Sequence, residues 1–239
     1  MEFERFEQLL HCATVEELHA ATSRAVQDLG YEHFLYAVQV NTSLTRPYQF
    51  IFSGFPKDWR AHYNERGYQG IDPTIRHCMQ RVVPMVWDDR HFAGREAARM
   101  RGEAREFGLV NGASLAVHGS RGELAMLSLT NSPRSAAARQ AVTRSLGEAQ
   151  LLACYLHEAV QEIVLSKEVL PLKRAKLIER ERECLLWASE GKTSWETATI
   201  LNVSERTVVF HVQNAARKMG ATNRRQAVAR ALTMGLIQP

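Results

Sequence analysis

The 239-residue chain has no apolar run approaching the ~20 residues that span a bilayer. Its opening, Met1-Glu-Phe-Glu-Arg-Phe-Glu7, is charged where a secretory leader would be apolar. No membrane segment is expected, and the cytoplasm is the expected location. Cysteine is sparse: Cys12, Cys78, Cys154 and Cys184 are scattered, with neither C-x-x-C nor zinc-ligand spacing. They are expected as reduced thiols packed like small apolar side chains. G-x-S-x-G, H-E-x-x-H and G-x-G-x-x-G are all missing, and the nine His are dispersed. No catalytic residue, metal or cofactor is expected, and the chain does not read as an enzyme. There is no internal repeat and no low-complexity tract. Acid is missing from one region in particular. Residues 171–239 hold no Asp and set 12 Lys/Arg against 6 Glu, a balance of +6, whereas the rest holds 18 against 20, or −2. A basic tail on a near-neutral body points to nucleic acid as the partner.

Local signals in the tail agree. A first helix runs from about Leu177 through Trp187. Thr193, with Glu196 three residues later, forms a capping box that starts a short helix ending near Leu201. Asn202-Val203 makes the turn, and Ser204 is a good N-cap for the next helix. There Val208, Val212, Ala215 and Met219 recur at spacings of four, three and four, which predicts a buried stripe. Arg206, Val209, Phe210, Gln213, Arg217 and Lys218 fall on the opposite face. Two short helices, the second basic and outward-facing, suit the major groove of DNA. A last helix is expected over Arg225–Met234.

The first 170 residues alternate differently. Glu16 to Leu29 has helical apolar spacing, stopped by Gly30. Phe34–Val40 and Tyr48–Phe52 read as strands across a polar loop. Pro56 opens a helix to about Arg66, and Asp72-Pro73 opens another through Gln80. Val82-Val83 is expected as a short strand, and Glu96–Phe107 as a helix ended by Gly108. Ser114–Val117 and Glu123–Leu129 form a hairpin, and Ser132-Pro133 starts one long helix to about Ile163. Antiparallel strands with helices before, between and after them predict an α/β class body, an α-β-α sandwich, beside a small all-α helix-turn-helix domain. Lys167 to Lys176, with Pro171 and four basic residues, is the expected linker.

The densest cluster of special residues is Phe55-Pro-Lys-Asp-Trp-Arg-Ala-His-Tyr63, then Gly67-Tyr-Gln-Gly-Ile-Asp-Pro-Thr74, then Pro84-Met-Val-Trp87. Trp59 and Tyr63, four apart, share a helix face. Such aromatics serve a core as readily as a site, and Asp72 is equally an N-cap ahead of Pro73.

Trp59, Tyr63, Asp72-Pro73, Trp87 and Gly112, followed by Glu181, Leu185, Gly191 and Thr207-Val208 through His211, resemble the LuxR-type quorum-sensing regulators over essentially the whole chain. Gly67-Tyr68, Asp72-Pro-Thr-Ile-Arg-His-Cys78 and His118-Gly-Ser-Arg-Gly-Glu-Leu124 through Leu127-Ser128 are especially similar to the LasR subgroup. The resemblance implies an N-acyl-homoserine lactone-binding and dimerisation domain over 1–166, a linker over 167–176 and a DNA-binding helix-turn-helix domain over 177–239.

For the ligand, the resemblance implies Phe55, Trp59, Arg60, Tyr63, Asp72, Thr74, Trp87, Phe92, Leu109 and Ser128. Trp59 would donate to the lactone carbonyl and Asp72 would accept the amide N–H. Ser128 and Thr74 would lie near the amide carbonyl and head group. Tyr63 and Trp87 would form walls, and Arg60 would reach a 3-oxo group through water. For DNA it implies Val209, Phe210 and Gln213 at bases, Ser204, Thr207, Arg217 and Lys218 at phosphates, and Arg206 on the same face. The partners implied are promoter DNA with palindromic half-sites, a second copy of the chain and RNA polymerase. Two residues depart from the pattern. Phe55 stands where relatives commonly have Tyr, and Ile178 stands where they usually have a Thr or Ser N-cap.

Other readings fit less well. A response regulator would show acidic residues at strand ends in a βα repeat, which the first 170 residues lack. An orphan receptor for a different small molecule is the alternative to the lactone.

Overall fold

The computed structural model describes residues 4–40, 47–119, 122–165 and 176–237. The expected linker over 167–176 lies outside them except for Lys176. The chain divides into two compact units, the larger holding the sheet and the smaller the C-terminal helices.

In the larger unit the order is α1 (Glu4–Glu7), α2 (Val15–Asp28), β1 (His33–Val40), β2 (Tyr48–Ser53), α3 (Lys57–Glu65) and α4 (Pro73–Gln80). Then come β3 (Met85–Val86), α5 (Arg95–Glu106), β4 (Asn111–His118), β5 (Glu123–Asn131), α6 (Ala136–Arg144) and α7 (Leu146–Val160). The five strands form one sheet in the order β2-β1-β5-β4-β3. β4 runs antiparallel to both β3 and β5, with Val86 opposite Ala113 and Ser114 opposite Ser128.

The two faces of the sheet do different things. Tyr36 and Phe34 of β1 and Leu127 and Leu129 of β5 are fully packed, and Tyr36 donates or accepts a 2.7 Å bond with His157 on α7. Leu35, Ala37 and Gln39, in alternation with these, border a cavity that α3, α4 and α5 enclose, as do Leu124, Met126 and Ser128. Helices on both faces make the expected α-β-α sandwich. Gly112 permits one close approach: a Cβ there would meet Leu129 O at 2.6 Å and the Trp87 ring at 3.0 Å.

Three expectations fail. The long helix after Pro133 is two helices, because Ser145 breaks it. The Ser145 hydroxyl bonds Val142 O at 3.1 Å and the Tyr31 hydroxyl at 2.8 Å. Ser135, and not Ser132, caps the first of the two through Ala138 N. Val82 and Val83 form no strand and are 58% and 65% exposed; pairing begins only beyond Pro84, at Met85. Finally, Cys78 and Cys184 are buried as expected, but Cys154 is exposed on α7 and Cys12 half-exposed.

The smaller unit holds α8 (Glu179–Ser189), α9 (Ser194–Leu201), α10 (Glu205–Lys218) and α11 (Arg224–Thr233). The capping box forms: Glu196 N donates to Thr193 Oγ1 at 3.2 Å, and Thr193 N to Glu196 Oε2 at 2.7 Å. Asn202 makes the turn at φ 54°, a left-handed conformation that Asn tolerates. Ser204 accepts from Thr207 N at 3.1 Å. Val208, Val212, Ala215 and Met219 are buried as the spacing predicts; Ala215 and Met219 pack with Leu185, Ala227 and Ala231.

Ile178 cannot cap α8, so only half of a capping arrangement exists there. Glu181 Oε2 accepts from Ile178 N at 3.0 Å and also holds Lys218 Nζ at 2.7 Å. Ile178→Ser supplies the missing acceptor. It should stabilise the C-terminal unit by ~1 kcal/mol, read as a rise in its thermal unfolding midpoint; an unchanged midpoint would show that this helix start does not use a cap.

Candidate ligand cavity and recognition helix

The ten residues expected at a ligand site all border one cavity of ≈ 500 Å³ in the larger unit. Several of its polar groups are held by bonds within the protein.

Asp72 is the N-cap of α4, positioned by Pro73 behind it. Its Oδ1 accepts from Thr74 N at 2.8 Å and from Thr74 Oγ1 at 2.7 Å, while Oδ2 accepts from the Tyr63 hydroxyl at 2.9 Å. The residue borders the cavity. Burial pushes its pKa up, and the bonds from Thr74, Tyr63 and the Ile75 N–H oppose the rise. Burial likewise pushes the Cys78 thiol, on the next turn, up to about 12, with the Asp72 charge adding to the effect.

Trp59 is buried on α3 amid aromatic rings: Tyr63 at 5.8 Å, Tyr68 at 6.2 Å and Phe107 at 5.6 Å between centroids. A carboxylate pins the outer side of this cluster. Glu103 on α5 bonds His62 at 2.6 Å, Arg99 at 2.7 Å and the Tyr68 hydroxyl, so α3 and α5 are tied together across the cavity's end. Those bonds, His62 first, hold the Glu103 pKa down to about 2.

On the opposite wall, Trp87 Nε1 donates to Ser114 Oγ at 2.9 Å, and Ser114 Oγ lies 2.8 Å from Ser128 Oγ. Phe92 meets Trp87 edge to face at 6.2 Å, and Leu109 is fully buried beside them. Phe55 is half-buried within the same apolar cluster and brings no hydroxyl. Arg60 is half-buried on the cavity edge and has no ion-pair partner among the described residues; burial lowers its pKa.

The residue that the sequence reading missed is Arg101. It borders the cavity at 4% exposure. Its Nη1 donates to Leu109 O at 2.9 Å and Nη2 to Val110 O, while the guanidinium lies 5.2 Å from both the Trp87 and Phe92 ring centres. Burial brings its pKa down to about 10, which still leaves it charged near neutrality. A signal existed: Ala97, Met100, Arg101 and Ala104 fall at the spacing of one helix face. The apolar lining from Leu35, Leu124 and Met126 was also missed. Strands apolar on both faces announce a second buried side.

In the smaller unit, Arg206, Val209, Phe210, Gln213 and Arg217 are exposed on α10, with Phe210 at 58% and Val209 at 38%. Thr207 and Ser204 share a 2.7 Å bond at the helix start. Lys218 differs from its neighbours, because its ammonium bonds Glu181 and Lys176 O. The His211 Nδ1 is buried without a partner among the described residues, and its ring meets Phe210 at 5.5 Å.

Known proteins match both units. The family described as "Autoinducer binding domain" matches residues 14–160, and the one described as "Bacterial regulatory proteins, luxR family" matches 175–231. The chain is 38% identical over 213 residues to the transcriptional activator protein VanR of Vibrio anguillarum, covering 88% of this chain and 87% of that one. It is 36% identical over 217 residues to the quorum sensing-dependent transcriptional regulator RpaR of Rhodopseudomonas palustris, covering 89% and 85%. The structure of SdiA in complex with octanoyl-rac-glycerol, a protein also solved as the Escherichia coli form, superposes with a TM-score of 0.74 at 28% identity, covering 97% and 93%.

Arg101→Met keeps the aliphatic bulk but leaves the Leu109 and Val110 carbonyls without their donor. Loss of the two bonds should cost about 2 kcal/mol in urea unfolding of the full chain. A loss below about 0.5 kcal/mol would mean that water replaces the guanidinium at no penalty.

Proposed function

Because the chain belongs to the LuxR family of autoinducer-binding, DNA-binding transcriptional regulators, we propose that its cavity takes an N-acyl-homoserine lactone. The observation that carries this reading is the convergence of the Asp72 carboxylate with the Trp59 indole and the Ser128 hydroxyl on one mainly apolar cavity. An acylated lactone has a ring carbonyl, an amide N–H, an amide carbonyl and a fatty chain. Each polar group, once buried, needs a partner or costs on the order of 1–3 kcal/mol. The Trp59 indole N–H is a donor only and suits the ring carbonyl. The ionised Asp72 is an acceptor only and suits the amide N–H. Ser128 suits the amide carbonyl, and Thr74 holds Asp72 in place. Arg60, which lines the cavity and has no ion-pair partner among the described residues, suits a 3-oxo group. Tyr63, Trp87, Phe92 and Leu109 wall the ring and chain.

The 1–166 segment then senses, the 167–176 segment links and the 177–239 segment binds promoter DNA. Ligand at 100 times its dissociation constant adds ~2.7 kcal/mol to the folded state, and the filled body pairs with a second copy through the helical region at 136–163. A two-fold dimer reads palindromic half-sites about one DNA turn apart and acts on RNA polymerase in the cytoplasm. Val209, Phe210 and Gln213 face bases; Ser204, Arg206, Thr207 and Arg217 meet the backbone. Lys218 adds charge while bracing Glu181.

A second reading, a receptor for another acylated small molecule, draws on two observations. Phe55 offers no hydroxyl to an amide carbonyl, and the SdiA structure holds octanoyl-rac-glycerol. Mass spectrometry of protein expressed with and without acyl-homoserine lactones separates the readings, since lactone should be bound only in the first.

Asp72→Asn keeps an oxygen for the α4 cap but turns a donor toward the cavity. It should abolish lactone-dependent soluble yield, and an unchanged yield would overturn the assignment. On the DNA side, Gln213→Ala should change operator preference, measured by binding to a panel of half-site variants, and leave lactone affinity within twofold. A concurrent loss of lactone binding would show that the two units do not act separately.

A further inference from the structure

We infer that Ser114, which does not border the cavity, fixes the direction of the Ser128 hydroxyl and makes it a donor into the cavity. The inference rests on the lactone reading and sharpens what that site selects. Ser114 and Ser128 stand opposite each other on β4 and β5, 0% and 3% exposed, with their oxygens 2.8 Å apart.

The Trp87 indole N–H, which can only donate, occupies Ser114 Oγ at 2.9 Å. Two proton arrangements are then open. If Ser128 donates to Ser114, the Ser114 proton has no acceptor among the described residues, in a place closed to solvent. Buried polar groups avoid that state. If Ser114 donates to Ser128, every donor behind the wall is used, and the Ser128 proton has the cavity as its outlet. The chain Trp87 to Ser114 to Ser128 therefore runs one way, and each bond polarises the next. The cavity presents a fixed acceptor at Asp72 and a fixed donor at Ser128, the complement of a secondary amide. Phe55 offers no hydroxyl, so the amide carbonyl relies more heavily on Ser128. Ser114 is thus a positioning residue for ligand choice.

The test compares N-octanoyl-homoserine lactone with its thioamide counterpart, whose C=S accepts hydrogen bonds weakly. Ligand-induced shifts in unfolding temperature of the full chain, over a concentration series, give the affinity ratio. Wild type should prefer the amide by about tenfold. Ser114→Ala should reduce that ratio to about twofold or less, and Ser114→Thr, which keeps a hydroxyl, should restore it. A purely structural role would weaken both ligands alike, so an unchanged ratio in Ser114→Ala overturns the inference. So does a wild type that fails to discriminate. Should Ser114→Ala not fold, Ser114→Val removes the same hydroxyl while matching the shape of Ser114→Thr, and its ratio must fall in the same way or the inference fails. Binding of neither compound by the wild type would instead sink the lactone reading itself.

Discussion

The larger unit encloses a volume that its own side chains do not fill, and most of its features answer to that constraint. Protein interiors pack at a density near 0.74, so a partly open cavity of ≈ 500 Å³ forfeits contacts where its walls face no protein atoms. At ~24 cal/mol per Å³, even a fifth of that volume left empty costs about 2 kcal/mol. That is close to the ~2.7 kcal/mol a ligand supplies at a hundred times its dissociation constant. A ligand that fills such a cavity replaces contacts the walls otherwise lack.

The polar groups in the hollow are held by bonds within the protein itself. Asp72 is fixed by Thr74 and Tyr63, Trp87 by Ser114, and the outer aromatic cluster by Glu103. Side chains already ordered lose little further freedom on binding, which favours affinity. The smaller unit works on other terms. Its core of Leu185, Ala215, Met219, Ala227 and Ala231 is filled by its own residues, and the outward face of α10 leaves Val209, Phe210 and Gln213 free of structural duty. A self-sufficient reading head beside an incomplete sensor is a sensible division of stability.

What could be read from the sequence was what depends on neighbours a few residues away. Asp72-Pro73, Thr193 with Glu196, and Ser204 are caps set by local backbone donors, and each forms where the spacing puts it. The α10 stripe follows from helical period alone. What could not be read depends on distant partners. Ser145 breaks a helix because Tyr31, 114 positions earlier, takes its hydroxyl. Arg101 is buried because two carbonyls beyond α5 await it, although three other Arg on that helix look alike in sequence. The Val82-Val83 expectation failed for lack of a partner strand: β4 pairs with residues beyond Pro84, and β propensity without a facing ladder makes no strand. The resemblance named ten residues that border one cavity, but it could not tell which of them are pinned to one another.

Phe55 shifts where ligand selection is made. A Tyr there would give the amide carbonyl a second donor; Phe instead deepens the apolar cluster with Trp59, Ile71 and Phe107. One neutral hydrogen bond is worth about 1 kcal/mol net, and one buried methylene about 0.8 kcal/mol. A single further carbon on an acyl tail therefore nearly offsets the missing hydroxyl. On the lactone reading, discrimination moves away from the head group, whose contacts reduce to the single donors and acceptor at Trp59, Asp72 and Ser128. It moves toward the apolar lining, to which Leu35, Ile51, Leu124 and Met126 belong. Ligand length then matters more to this chain than to a relative that keeps the tyrosine.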